Sequence, residues 1–463
     1  MNLKYKCLFR DMGIFALGVL GSKFVLFFLV PIYTHVLSDS EYGIADLVFT
    51  VGELMLPLVS LAIFNGLLRY GLIKDKRQEA VFCVSIVFFI GSLIVVLLTP
   101  FFNLYSPISE WKWYLCANVI ASFARANTFV YLKVKNKNKA YSAVSVIQAL
   151  LLVFCNIVML VALRLGVRGY LLSTVISTSV VAILAFKLSE MWVDIKQATF
   201  DSNFMKEIVL FSIPFVFNDI TWWIIHSFNK VMIEWLISSA MLGIYAAASK
   251  IPALINAATS IFSQAWVLAA VREYETTNDT SFYSTVFRYF NVLVFGFAII
   301  IVALIKPFMH IYVGPAFIQS WHYVPLLLVG AVFMAISVFA GNMFSALKQS
   351  RVIMTSAILA GILNVIINYF LIPVIGVYGA IIGTVSAYFV IAMLRLFELK
   401  KSIKIELHMK RLLLLIFLLL LQATLVGVDY HVFMVSVITL IIYLSIVSKD
   451  IMPIYNLLKA KIH

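Results

Sequence analysis

The stretch NDITWWIIHSFNKVMIEWL, residues 218–236, places four ionisable side chains in a segment that is otherwise apolar and aromatic. Asp219, His226, Lys230 and Glu234 fall within roughly 80° of one another if the segment is a continuous helix at about 100° per residue. An amine in such a place can bind an anion, a carboxylate can bind a proton or a cation, and an imidazole can do either. The spacing therefore predicts one polar stripe on a helix.

The composition indicates what kind of element carries this stripe. The chain has 463 residues, of which 63% are hydrophobic and 12% charged. A soluble protein of this length cannot bury so much apolar surface, so lipid must be the solvent. We predict an all-α polytopic membrane protein with about 14 transmembrane helices, because backbone polar groups in lipid must pair within their own segment. The predicted spans are residues 12–36, 43–68, 79–101, 111–132, 141–163, 169–189, 207–236, 242–271, 286–306, 321–347, 352–372, 377–397, 411–428 and 430–448.

Lysine and arginine are distributed unevenly between the two sides of these spans. When residues within two positions of a span end are counted with the adjoining loop, the N-terminal tail, the even-numbered loops and the C-terminal tail hold 27 of them, the odd-numbered loops hold four, and four lie deeper within spans. This asymmetry predicts that both termini are cytoplasmic, and the net charge of +14 then needs no nucleic-acid partner.

The loops and motifs argue against an enzyme. No loop is long enough for a folded catalytic domain, and no GxxxxGK[ST] phosphate-binding loop occurs. The four cysteines are isolated from one another, which suggests neither a disulfide framework nor a metal site. We therefore expect no enzymatic activity, no cofactor and no metal.

Other spans carry ionisable and polar groups as well. A charge near the centre of a bilayer costs at least about 2.5–3.5 kcal/mol, so such groups are expected to face protein or water. Together they predict a wide, hydrated and net-positive cavity. Its predicted residues are the cations Lys23, Arg125, Lys230 and Lys250, the polar lining residues Asn118, His226 and Gln264, and the carboxylates Glu53, Asp219 and Glu234, which could couple to an ion.

Structural explanations remain open for some of these residues. Lys230 could pair with Glu234 four positions later, although Lys before Glu is the weaker order. Lys230 and Lys250 lie about 10–12 Å from a span end, so their side chains could also extend to the membrane surface. Asp46, on the second span, is close enough to a loop to be an interfacial residue.

An internal repeat relates the two halves of the chain. GVRGYLLSTV (166–175) and GVYGAIIGTV (376–385) agree at five of ten positions, and VLSDSEYGIA (36–45) weakly matches LISSAMLGIY (236–245). Because six spans recur, the two copies share one orientation in the membrane. We predict two parallel six-helix lobes around a central cavity, residues 1–200 and 201–400, plus two extra C-terminal helices and a cytoplasmic tail in residues 401–463.

Two segments carry a family resemblance. PIYTHVLSDSEYG (31–43) resembles the P-x-Y-x-R-x-L…E-Y-G signature of polysaccharide (O-antigen) repeat-unit flippases. NVIINYFLIPVIGVYGAIIGT (364–384) is similar to a late N…N…LIP…G-x-x-G-A…T pattern in the same proteins. These flippases belong to the multidrug/oligosaccharidyl-lipid/polysaccharide exporter superfamily, whose members have twelve to fourteen spans in two lobes. His35 stands where that signature commonly has arginine, so no role for a fixed charge at this position is carried over.

The resemblance implies an activity and a location. It implies translocation of undecaprenyl-diphosphate-linked oligosaccharide across the bacterial cytoplasmic (inner) membrane, for surface polysaccharide such as O-antigen, lipopolysaccharide or capsule. Cationic residues of the cavity would receive the anionic head group, which maps by position onto the four cations named above. We expect H⁺ or Na⁺ as a possible coupling ion, a polysaccharide polymerase and a chain-length regulator as possible partners, and a functional monomer in the lipid bilayer.

Two rival functions are distinguishable from the sequence. A multidrug exporter of the same superfamily moves cations and would favour a net-acidic cavity, whereas the buried cations here at least match the carboxylates. A membrane-bound glycan polymerase or ligase calls for a sizeable periplasmic loop, and the longest odd-numbered loop has about fourteen residues.

Overall fold

A computed structural model describes residues 27–276, 280–347, 349–403 and 405–459, and these residues form helices joined by turns without any β-strand. Ten helices are long and apolar enough to cross a membrane, or eleven when one bent pair counts as a single span. The all-α polytopic fold is therefore confirmed. The helices are α1 Phe27–Val36, α2 Asp39–Ser60, α3 Ile63–Gly71, α4 Arg77–Leu97, α5 Ser106–Ser109, α6 Lys112–Val134, α7 Asn138–Asn156, α8 Gly166–Ser189, α9 Met191–Gln197, α10 Ser202–His226, α11 Phe228–Leu236, α12 Ser239–Ser249, α13 Pro252–Thr276, α14 Thr280–Tyr312, α15 Val324–Ala346, α16 Ser350–Ile375, α17 Val377–Ile403, α18 Met409–Gly427 and α19 Val432–Lys459.

The described chain forms two compact units. The first, which we call the N-unit, ends at Gly243, and the second, the C-unit, begins at Ile244. The seventh predicted span, formed by α10 and α11, thus belongs to the same compact unit as α1 to α9. The division into lobes at residues 200 and 400 remains a prediction.

In the N-unit, α2 is the helix around which the others pack. It begins with a capping box, in which Ser38 and Glu41 satisfy each other's backbone N–H groups. Helices α6, α8, α10 and α11 all pack against α2. Several polar residues of α2 are buried. Helices α10 and α11 supply polar partners for α2, as described below.

In the C-unit, α15 occupies the central position. It contacts α13, α14, α17 and α18, and its small residues allow close helix packing. The last two helices, α18 and α19, pack against α14 and thus form an integral part of this unit.

Three predicted spans are broken rather than continuous. The second span breaks at Leu61 and Ala62, which both adopt left-handed backbone conformations, with φ of 51° and 48°. The seventh span breaks at Ser227 between α10 and α11. The eighth bends by 42° between α12 and α13, immediately before Pro252, whose ring disfavours a helical conformation for the preceding residue. Broken membrane helices expose backbone polar groups, which are tolerated only in protein or water-lined surroundings.

Candidate functional site

Polar contacts join α2 to the broken seventh span inside the N-unit. The Lys230 ammonium lies 2.8 Å from the Asp46 carboxylate. The Trp223 indole N–H donates to the Thr50 carbonyl oxygen at 2.8 Å. We call this set of contacts, together with the Ser227–Glu53 hydrogen bond described below, the α2–α11 polar seam.

The polar seam arises from spacing on α2. Asp46, Thr50 and Glu53 are four and three residues apart, so they share one face of that helix. The Ser227 hydroxyl, at the break in the seventh span, donates to Glu53 at 3.2 Å. The break at Ser227 thus places a side-chain donor and the start of α11 opposite this face.

The Lys230–Asp46 ion pair is buried. The side chain of Lys230 is 17% exposed and that of Asp46 is 6% exposed. Two charges removed from water cost several kcal/mol each, and only close pairing offsets that cost. In this conformation the charge of Lys230 is therefore balanced by Asp46, a residue that sequence reasoning placed at the interface. Asp46 could have been found from its shared face with Glu53.

Glu234 is not the partner of Lys230. Its carboxylate accepts a hydrogen bond from the Ser239 hydroxyl at 2.8 Å, and Glu234 is 9% exposed. The helix break explains the difference, because Asp219 and His226 lie on α10 whereas Lys230 and Glu234 lie on α11. The four ionisable residues consequently do not form one stripe on a continuous helix.

The remaining polar residues of α10 have local partners. Asp219 is half-buried and accepts a hydrogen bond from the Asn218 amide at 3.2 Å. His226 is exposed, and its ring stacks on Trp222 with centroids 5.2 Å apart. Their predicted roles in ion coupling and cavity lining remain predictions.

Helix α6 carries a cation without a counter-ion in the part of the chain that the structure describes. Arg125 is partly buried, and no carboxylate lies within 4.0 Å of its guanidinium among those residues. Its guanidinium carbon lies 5.4 Å from the centre of the Phe129 ring, a cation–π distance. Asn118 on the same helix is 7% exposed and packs against Gly52 of α2.

Two of the predicted cavity residues, Lys250 and Gln264, belong to the C-unit. Lys250 lies at the bend between α12 and α13, where its backbone N–H donates to Ala247 at 3.2 Å. Gln264 is an exposed residue of α13. Lys23 lies outside the described residues. Within the described ranges, no group of three or more His, Cys, Asp or Glu residues could hold a metal ion.

The sequence matches one protein family over residues 8–267, more than half of the chain, and that family is described as "Polysaccharide biosynthesis protein". This chain belongs to that family. No curated protein matches it in sequence.

Three solved structures with a similar fold are remote in sequence from this chain. The lipid II flippase MurJ, in an inward closed conformation, has a TM-score of 0.73 at 12% identity, and the match covers 95% of this chain and 99% of the MurJ chain. An inward-facing multidrug resistance MATE family transporter of the MOP superfamily has a TM-score of 0.65 at 16% identity, covering 82% and 98%. A mutant form of the Vibrio cholerae MATE transporter VcmN has a TM-score of 0.53 at 13% identity, covering 87% and 97%.

At these identities the likeness shows the fold alone. This chain thus has the fold of MOP-superfamily transporters and flippases, and the resemblance carried by its two motifs is confirmed.

Proposed function

We propose that this protein is a flippase that moves undecaprenyl-diphosphate-linked oligosaccharide repeat units from the cytoplasmic to the outer leaflet of the bacterial cytoplasmic membrane. Membership of the polysaccharide biosynthesis family is the observation that carries this proposal. The product would supply surface polysaccharide, with a polymerase and a chain-length regulator as later partners. One chain would suffice for transport, and both termini would be cytoplasmic.

Arg125 supports an anionic substrate. It is a partly buried cation of α6, the fourth predicted span, with no carboxylate beside it in the described residues. An ionisable residue inside a membrane segment is a candidate for ligand binding by default, because its insertion cost must be balanced. A guanidinium presents a planar set of donors that matches phosphate oxygens, and the diphosphate of a lipid-linked sugar offers such oxygens.

The Lys230–Asp46 pair adds a means of release. A substrate diphosphate that drew Lys230 away from Asp46 would leave that carboxylate buried and uncompensated, which limits the net gain on binding. Moderate affinity is required for transport, since a head group held too tightly would not leave. We propose that an ion gradient couples to this step through carboxylates that bind a proton or Na⁺. The candidates are Asp46, Glu53, Asp219 and Glu234.

The membrane potential favours the proposed direction. Moving negative charge out of a negative-inside cell is downhill by about 2.3 kcal/mol per charge per 100 mV. The protein then needs only to shelter the head group from hydrocarbon by alternating access, while the polyprenyl tail stays in lipid. No covalent step is involved.

The test is leaflet-resolved translocation in proteoliposomes with an undecaprenyl-diphosphate-linked oligosaccharide. We expect Arg125→Ala to reduce flipping about tenfold or more, because a charge-assisted hydrogen bond contributes about 1.5–3 kcal/mol. Arg125→Lys should retain part of the activity, and the exposed-residue control Lys139→Gln should behave as wild type. If the wild-type protein moves no lipid-linked sugar but exports a cationic dye, a multidrug exporter replaces the flippase.

A further inference from the structure

A basic cleft opens at one end of the C-unit, and none of the residues that the proposed function uses lines it. It has a volume of about 750 Å³ and lies where α14 and α18 begin and α17 ends. Its charged lining consists of Arg288, Lys400, Lys410 and Arg411, with Glu406 as the carboxylate among the lining residues. Charge asymmetry predicts that this end is cytoplasmic.

The two arginines share one buried carboxylate. Asp450, which is 5% exposed, accepts a hydrogen bond from Arg411, and one of its oxygens lies 3.5 Å from the Nε of Arg288. The Nε atoms of both arginines are nevertheless buried and make no hydrogen bond to any described residue. Four positive charges therefore face two negative ones, and buried guanidinium donors remain unsatisfied.

The start of α18 adds to the positive potential. Its first turn carries Lys410 and Arg411 and no acidic residue, and no side chain caps it at His408. A helix N-terminus carries about half a positive charge and normally attracts acidic side chains or anions. Asp450, which pairs with Arg411, and Glu406 offset only part of the positive potential that results.

A narrow crevice continues from the cleft between α14 and α18. Arg288 and Arg411 line both cavities, and the crevice also reaches Asn291. Asn291 is 6% exposed, and its amide oxygen accepts no hydrogen bond from any residue of the described chain. A hydroxyl group of a ligand would supply the missing donor.

We propose that this cleft binds the phosphate group of an anionic membrane phospholipid. A lipid fits better than a soluble phosphate because the cleft lies at the ends of membrane helices whose adjoining turns expose apolar side chains. Phe397 on α17 is 54% exposed, and Leu413 and Phe417 on α18 are 53% and 66% exposed. Basic sites between membrane helices at the cytoplasmic surface are suited to anionic head groups.

The test compares ligands on the purified, delipidated full chain. Native mass spectrometry would measure binding of dioctanoyl phosphatidylglycerol, dioctanoyl phosphatidylcholine and inorganic pyrophosphate. The variant Lys400→Gln/Lys410→Gln removes two exposed cations that form no ion pair with described residues, so it leaves no carboxylate unpaired. The matched control Lys74→Gln/Lys139→Gln removes the same charge from exposed positions of the N-unit.

We expect phosphatidylglycerol to bind the wild type and the control alike, and to bind the cleft variant roughly thirtyfold more weakly, given the contribution of each lysine near an anionic surface. Equal affinity of the cleft variant and the control would overturn the proposal, as would equally tight binding of phosphatidylcholine. Pyrophosphate binding that matches phosphatidylglycerol would assign the site to a soluble anion and overturn the lipid. These outcomes are independent of whether the protein flips lipid-linked sugars.

Discussion

The buried Lys230–Asp46 pair gives a prediction that separates stability from transport. Lys230→Met leaves the Asp46 carboxylate, which is 6% exposed, without the ammonium 2.8 Å away. Removing one partner of a buried ion pair typically costs about 3–5 kcal/mol, because the remaining charge is uncompensated. Asp46→Asn should also destabilise the protein by leaving Lys230 unpaired. The double variant Lys230→Met/Asp46→Asn should recover most of the loss.

Unfolding of the purified protein by sodium dodecyl sulfate would measure these free energies. We expect a coupling energy of about 2 kcal/mol or more between the two sites in the double-mutant cycle. If the losses of the single variants simply add in the double variant, the ion pair does not exist as described.

The same variants address transport in proteoliposomes. If Lys230 contacts the substrate diphosphate, the double variant should be stable yet remain impaired in flipping. Recovery of both stability and flipping would show that Lys230 serves only to balance Asp46.

Three further outcomes follow from packing and charge. Gly43→Ala should lower the thermal midpoint markedly, because a Cβ there would lie 1.9 Å from the Ser239 carbonyl oxygen and force α2 and α12 apart. Asp194→Asn should flatten the loss of stability in acid. Burial alone would raise the pKa of Asp194, but the hydrogen bonds from Lys135 and Tyr131 and the nearby positive charges together lower it, so its stabilisation is present at neutral pH and disappears as the pH falls below about 4. Arg395→Met should destabilise the C-unit by about 1–3 kcal/mol, because the buried guanidinium donates hydrogen bonds to both α15 and α16.

Each of these outcomes has a control. Gly330→Ala should be tolerated, since its Cβ would meet the nearest atom at an ordinary 3.4 Å; equal damage from both glycine variants would contradict the close approach at Gly43. An unchanged acid profile in Asp194→Asn, measured by thermal unfolding between neutral and acid pH, would remove the role of its ion pair. Arg395→Lys should retain part of the lost stability, and a fully stable Arg395→Met would contradict the hydrogen-bonded clamp.

The membrane helices could be predicted from the sequence because hydropathy is a local property. A span needs about twenty apolar residues regardless of what surrounds it, so segments such as 377–397 correspond to a helix, here Val377–Ile403. The motifs at residues 31–43 and 364–384 indicated the family resemblance for the same reason, since both can be read along the chain. Pro252 also marks the bend that follows α12.

The polar contacts of the candidate site depended on the tertiary structure. The break at Leu61 and Ala62 contains no glycine or proline, so the sequence at these positions does not predict it. The break at Ser227 separates residues that a continuous helix would place on one face. Lys230 pairs with Asp46, far away in sequence, rather than with the nearby Glu234. Sequence alone determines which charges enter the membrane, because their number and depth are local. Which charge neutralises which is decided by helix packing, because a buried ion must find its counter-ion among the side chains that the fold brings within about 4 Å.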